Sequence, residues 1–114
     1  MDIESLRTFC LSLPGATEQI QWGSDLVFKV GEKMFLITGF SPPHSFAIKC
    51  SEEDFNSLLE REGIKPAPYL ARHKWVSVGS LSVLTSGELQ RYVRRSYDAV
   101  VAKLPKRKRE GLIR

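Results

Sequence analysis

Between two strand-like runs, residues 26–30 and 33–40, the chain has only Gly31 and Glu32 in which to reverse direction. A connection of two residues closes only a tight hairpin, so the two runs are antiparallel neighbours. The same punctuation recurs on both sides. Residues 17–22 are set off by Gly23-Ser24-Asp25, and residues 45–50 by Ser41-Pro42-Pro43-His44, all turn chemistry between runs of strand length. Four strands joined in this way form a meander.

Helical spacing flanks the meander. Ile3, Leu6, Phe9, Cys10 and Leu13 recur at helical intervals after Asp2, a competent N-cap, and Pro14-Gly15 stops the run. Ser51-Glu52-Glu53-Asp54 reads as a capping box with Asp in the position of the usual Glu. It opens a short helix carrying Phe55, Leu58 and Leu59 and ending at Gly63. A last strand is expected over residues 74–78. Thr85-Ser86-Gly87-Glu88 is a second capping box, and the longest helix follows, with Leu89, Tyr92, Val93, Tyr97, Val100, Val101 and Leu104 on its core face and Pro105 at its end. Helices at both ends of a run of antiparallel strands predict an α+β two-layer sandwich, with the helices on one face of the sheet.

With 114 residues, 42% of them hydrophobic, one core and one domain are expected: residues 1–105 as the domain and 106–114 as a basic C-terminal tail. No apolar run approaches the ~20 residues that span a bilayer, and Met1-Asp2-Ile3-Glu4 does not read as a signal peptide, so a cytoplasmic monomer with no membrane role is expected. Cys10 and Cys50 are far apart and outside any Cys-x-x-Cys spacing, which predicts buried free thiols and no zinc. The net charge of +4 is unevenly spread: residues 103–114 hold six Lys or Arg against Glu110, or +5, and leave −1 for residues 1–102. A basic terminus of this kind is a solvated end that attracts any polyanion weakly.

The segment Pro66-Ala67-Pro68-Tyr69-Leu70-Ala71-Arg72-His73-Lys74-Trp75-Val76 is the candidate for recognition. Its prolines bias the residues before them toward extended backbone and present Tyr69 and the following cations from a stiff loop. Side-chain alternation adds Lys29 and Lys49 on the sheet face opposite Leu26, Phe28, Val30, Phe46 and Ile48, and puts Trp75 and Ser77 on that same open face. Lys33, at the hairpin, completes the set. The competing reading makes Trp75 a packing residue, Arg72 and Lys74 edge-strand charges, and Trp22 a structural residue beside its glycine turn. Arg91, Arg94 and Arg95 read as a solvated helix face, with Arg94 one turn before Asp98.

Pro14-Gly15, Glu18, Trp22-Gly23, Phe28-Lys29-Val30, Lys33-Met34-Phe35, the segment from Pro66 to Arg72, Lys74-Trp75-Val76, Ser96-Tyr97-Asp98 and Lys103-Leu104-Pro105 together resemble the MmcQ/YjbR family. The resemblance runs nearly end to end. It implies a frataxin-like (CyaY-like) α+β sandwich and DNA binding through a double-wing arrangement of hairpins. On that reading Lys29, Lys33, Lys49, Tyr69, Arg72, His73, Lys74 and Trp75 contact DNA without catalysis, cofactor or metal.

Two other classes use overlapping residues. A binding module for a small anion or a protein would use the neighbourhood of Tyr69, Arg72, Lys74 and Trp75, because aromatic and Arg anchors dominate interfaces. An enzyme would have to be built on His73, for which the sequence offers neither a nucleophile nor a metal partner. Frataxin-like iron binding needs an acidic ridge, and the first helix offers only Asp2 and Glu4.

Overall fold

A computed structural model describes residues 1–112; Ile113 and Arg114, the end of the basic segment, lie outside the described residues. In chain order the elements are α1 (Ile3–Ser12), β1 (Thr17–Gln21), β2 (Asp25–Val30), β3 (Lys33–Gly39), β4 (Phe46–Lys49), α2 (Glu52–Leu59), β5 (Ile64–Pro66), β6 (Trp75–Val78), α3 (Ser86–Ala102) and α4 (Lys106–Glu110). The six strands form one antiparallel sheet in the order β1-β2-β3-β4-β6-β5. The helices pack on one face of it, which is the expected α+β architecture. Leu6 and Cys10 of α1, Leu58 of α2, and Leu89, Val93 and Tyr97 of α3 share a buried core with Phe28, Leu36, Ile48, Val76 and Val78 of the sheet. No helix among the described residues is long and apolar enough to cross a membrane.

The two-residue reversal forms as its length requires. Val30 lies opposite Lys33, and Gly31 and Glu32 both have positive φ, 57° and 69°, as a type I′ turn demands. Gly31 is needed for a second reason: a Cβ there would lie 2.6 Å from Leu104 Cδ1.

Farther along β3 the register slips. Phe28 faces Leu36 but Lys29 faces Met34, so Phe35 is an extra residue in a β-bulge. Phe35 and Leu36 therefore both enter the core, with Phe35 edge-on to Tyr97 at 5.5 Å. Met34, which strict alternation from Leu36 would turn toward the helices, joins Lys29 on the other side.

The helix starts follow their caps, with one difference. Asp2 accepts from the Ser5 N–H at 2.8 Å, and Thr85 and Glu88 close a reciprocal capping box at 3.1 and 3.0 Å. At α2 only half of the expected box forms: Ser51 accepts from the Asp54 N–H at 3.1 Å, but the Asp54 carboxylate is held by Arg95 at 3.0 and 3.1 Å. A full charge across the groove outcompetes a backbone donor.

Three further expectations change. Residues 64–66 are a strand, β5, too short to show alternation; it forms the sheet edge, where Pro66 is tolerated. The next strand begins at Trp75 rather than Lys74, because Lys74 has φ 65° and ends a 3-10 turn over Ala71–His73. Trp22 is not a packing residue; it is 67% exposed.

Cys10 and Cys50 are buried free thiols, and burial pushes both up to a pKa of about 12. The basic segment after Pro105 is helical over α4, where the Lys108 ammonium lies 3.5 Å from the Gly31 carbonyl and 3.3 Å from Glu32. Leu112 packs on the core. The segment thus runs beside the β2–β3 turn.

Candidate cationic cleft

At one end of the sheet β3 begins, β4 ends and β6 begins, beneath the C-terminal end of α3. Ser96 organises this corner. Fully buried, its hydroxyl accepts from the Lys49 N–H at 3.0 Å and donates to the Phe35 carbonyl at 2.6 Å. The hydroxyl thus bridges two main-chain groups at the end of the β3–β4 ladder, whose last register pair is Leu36 with Ile48.

Beside this bridge lies a cleft of about 530 Å³. β3 supplies Lys33 and Met34, β4 Lys49, β6 Trp75, the 3-10 turn His73, and α3 with its C-cap Val100 and Lys103. Lys49 and Trp75 are direct register partners. Trp75 is nearly covered, 5% exposed, so it serves as wall rather than as a free platform. The lining contains no carboxylate, and none of Lys33, Lys49 and Lys103 belongs to an ion pair among the described residues. Burial, and then repulsion from Lys103, holds the Lys49 ammonium below its usual pKa. Lys103 has a structural role as well, because a cation at a helix C-terminus opposes the helix dipole.

Of the eight residues singled out in the sequence, the structure brings four together here: Lys33, Lys49, His73 and Trp75. The other four lie outside the lining. Lys29 donates to Gln19 Oε1 at 3.0 Å. The Lys74 ammonium packs over the Phe55 ring of α2, 5.2 Å from its centroid. Tyr69 and Arg72 sit in the loop between β5 and β6, Tyr69 99% exposed with φ 65° and Arg72 exposed. Tyr69, Arg72 and Lys74 therefore belong to the loop that joins the edge strand β5 to β6, not to the sheet edge itself. Lys103 was read as part of the basic terminus. Its place at the end of α3 is the signal that could have found it, since the core face of that helix runs through Val100 and Leu104.

A second cleft, of about 630 Å³, lies between α1 and the β1 side of the sheet and has a different chemistry. Ile3, Ile20, Leu26 and Phe40 make it apolar, and its cation is already engaged: Arg7 holds Glu18 through two nitrogens at 2.9–3.2 Å and Glu4 at 3.3 Å. Of these two clefts only the first carries uncompensated positive charge; the second sets two carboxylates against one guanidinium.

Comparison with known proteins agrees with this architecture. The crystal structure of the Deinococcus radiodurans protein DR2400, a DUF419-domain protein, is 28% identical, superposes with a TM-score of 0.87, and covers 96% of this chain and 86% of its own. A Pseudomonas syringae protein at 17% identity shares the fold, with a TM-score of 0.72 over 87% of this chain and 98% of its own. None of the curated proteins matches in sequence. The YjbR family model matches residues 11–99, which include every strand and most of α3. The chain belongs to the YjbR family.

Proposed function

We propose that this protein binds nucleic acid, without catalysis, through the phosphates that Lys33, Lys49 and Lys103 can reach. The observation that carries the reading is the absence, among the described residues, of any counter-ion for these three lysines around a cleft with no carboxylate in its lining. Such a cluster repels itself when empty and is relieved by an anion.

A repeating polyanion fits better than a lone one, because the positive surface continues. α4 follows Lys103 after two residues and carries Lys106, Arg107 and Arg109, while Lys108 ties it to the turn that adjoins Lys33. Phosphate contacts of this type position a nucleic acid and supply most of the non-specific affinity.

The test is fluorescence anisotropy of a labelled oligonucleotide with the wild type, the Lys33→Ala/Lys49→Ala/Lys103→Ala variant, and an Arg107→Gln/Arg109→Gln control that keeps the Leu112 packing. The triple variant is expected to lose at least about tenfold in affinity, the scale of two to three phosphate contacts. The control is expected to lose less. If only the control weakens, binding belongs to α4 and the cleft has no part in it.

A further inference from the structure

Resting on that reading, we infer that the strand bound is single and that the cleft takes one unpaired nucleotide, its phosphate on the lysines and its base against the Trp75 wall. A hairpin that follows a duplex groove needs cations on its projecting tip to meet the flanking phosphates. The β2–β3 tip is Gly31-Glu32, and the one cation that reaches it among the described residues, Lys108, is already engaged by Glu32 at 3.3 Å, so the tip offers no free cation. The β1–β2 turn, Trp22-Gly23-Ser24, and the β3–β4 connection, residues 40–45, hold no Lys or Arg.

The positive groups sit instead in a concavity. Its volume of about 530 Å³ falls within the range of small-ligand pockets, roughly 300–1,000 Å³. Met34, Trp75 and Val100 give it an apolar part next to the three ammonium groups. A base and its phosphate have that same division, but inside a duplex the base is stacked and out of reach of a pocket. An unpaired nucleotide enters without the cost of unstacking.

The loop that brings His73 to the cleft adds an independent feature. It is fixed by backbone bonds from Leu70 N–H to the Ala67 carbonyl at 3.2 Å and from Trp75 N–H to the Leu70 carbonyl at 3.3 Å. Within the first of these turns, Tyr69 stands almost wholly in solvent in the left-handed backbone region. A fully exposed aromatic on a rigid loop is a stacking surface for a neighbouring base.

The experiment compares a labelled ten-residue oligothymidylate with a labelled duplex of ten base pairs in one buffer, by anisotropy. In parallel, Trp75 fluorescence is followed in a Trp22→Phe background, where Trp22 is exposed and its loss leaves the core intact. The single strand is expected to bind at least tenfold tighter than the duplex and to quench Trp75. Lys49→Ala/Lys103→Ala and Tyr69→Ala are each expected to weaken the single strand more than the duplex; Lys103→Ala alone, at an exposed position, guards against loss of fold. Equal or tighter duplex binding without quenching overturns the single-strand inference and leaves nucleic-acid binding standing. No binding of either ligand overturns both.

Discussion

Lys49 carries its charge in a position that half-buries it and sets Lys103 nearby, and both effects lower its pKa, burial more than repulsion. A lysine whose folded pKa lies below its unfolded value of 10.5 makes the folded state less stable while it is charged. That cost is present below the folded pKa and is lifted as the pH rises from there toward 10.5. An anion in the cleft acts in the opposite sense and raises the pKa. Lys103→Met is therefore expected to raise the Lys49 pKa in part, by removing the smaller cause, and oligonucleotide binding to raise it further; carbon-detected NMR titration of the lysine side chains reads both. A Lys49 titration that neither change moves would separate the two lysines. Lys49 itself was legible in the sequence through alternation from Phe46 and Ile48. Its partner was not, because Lys103 is adjacent only through the crossing of α3 over the sheet.

The elements that shape the cleft are held by few groups. Ser96 accepts from the part-buried Lys49 N–H and donates to the buried Phe35 carbonyl. Ser96→Ala is expected to cost about 1–3 kcal/mol, the penalty of leaving buried main-chain groups unpaired, as measured by urea denaturation. At the other end of α3, Glu88 is held near a pKa of about 2, first by Arg61 at 2.7 Å and then by the Thr85 N–H of the capping box. Because this folded pKa is depressed, its contribution is present above pH 4.5 and is lost as the pH falls toward 2. Glu88→Gln is expected to flatten the fall of thermal stability across that window; an unchanged slope would show that other carboxylates govern it. The capping box was legible because its residues are consecutive in the chain. The bulge at Phe35 was not: it contains no glycine, and it lies in the unbroken apolar run Met34-Phe35-Leu36-Ile37, where no alternation is visible to be broken. Since the bulge turns Met34 out of the core, part of the cleft wall was hidden with it. The proline-rich segment misled in a different way. Backbone hydrogen bonds tie it down, but a three-residue strand at its start places Tyr69 and Arg72 in a loop rather than on an edge.

For the molecule as a whole, periodicity and turn chemistry sufficed for the layers, because the strands and helices that build them, the short edge strand β5 apart, carry their own patterns. The distribution of charge depended on tertiary structure. A body of −1 and an end of +5 describe a sequence, whereas in three dimensions the end folds back beside the β2–β3 turn and extends the charge of Lys33. The salt dependence of oligonucleotide affinity tests this arrangement most directly. For the wild type, log affinity is expected to fall linearly with log salt, and in the Lys33→Ala/Lys49→Ala/Lys103→Ala variant the slope is expected to be smaller by about 2, as ~0.7–0.9 per lost contact requires. A folded triple variant that kept the wild-type slope would contradict this arrangement.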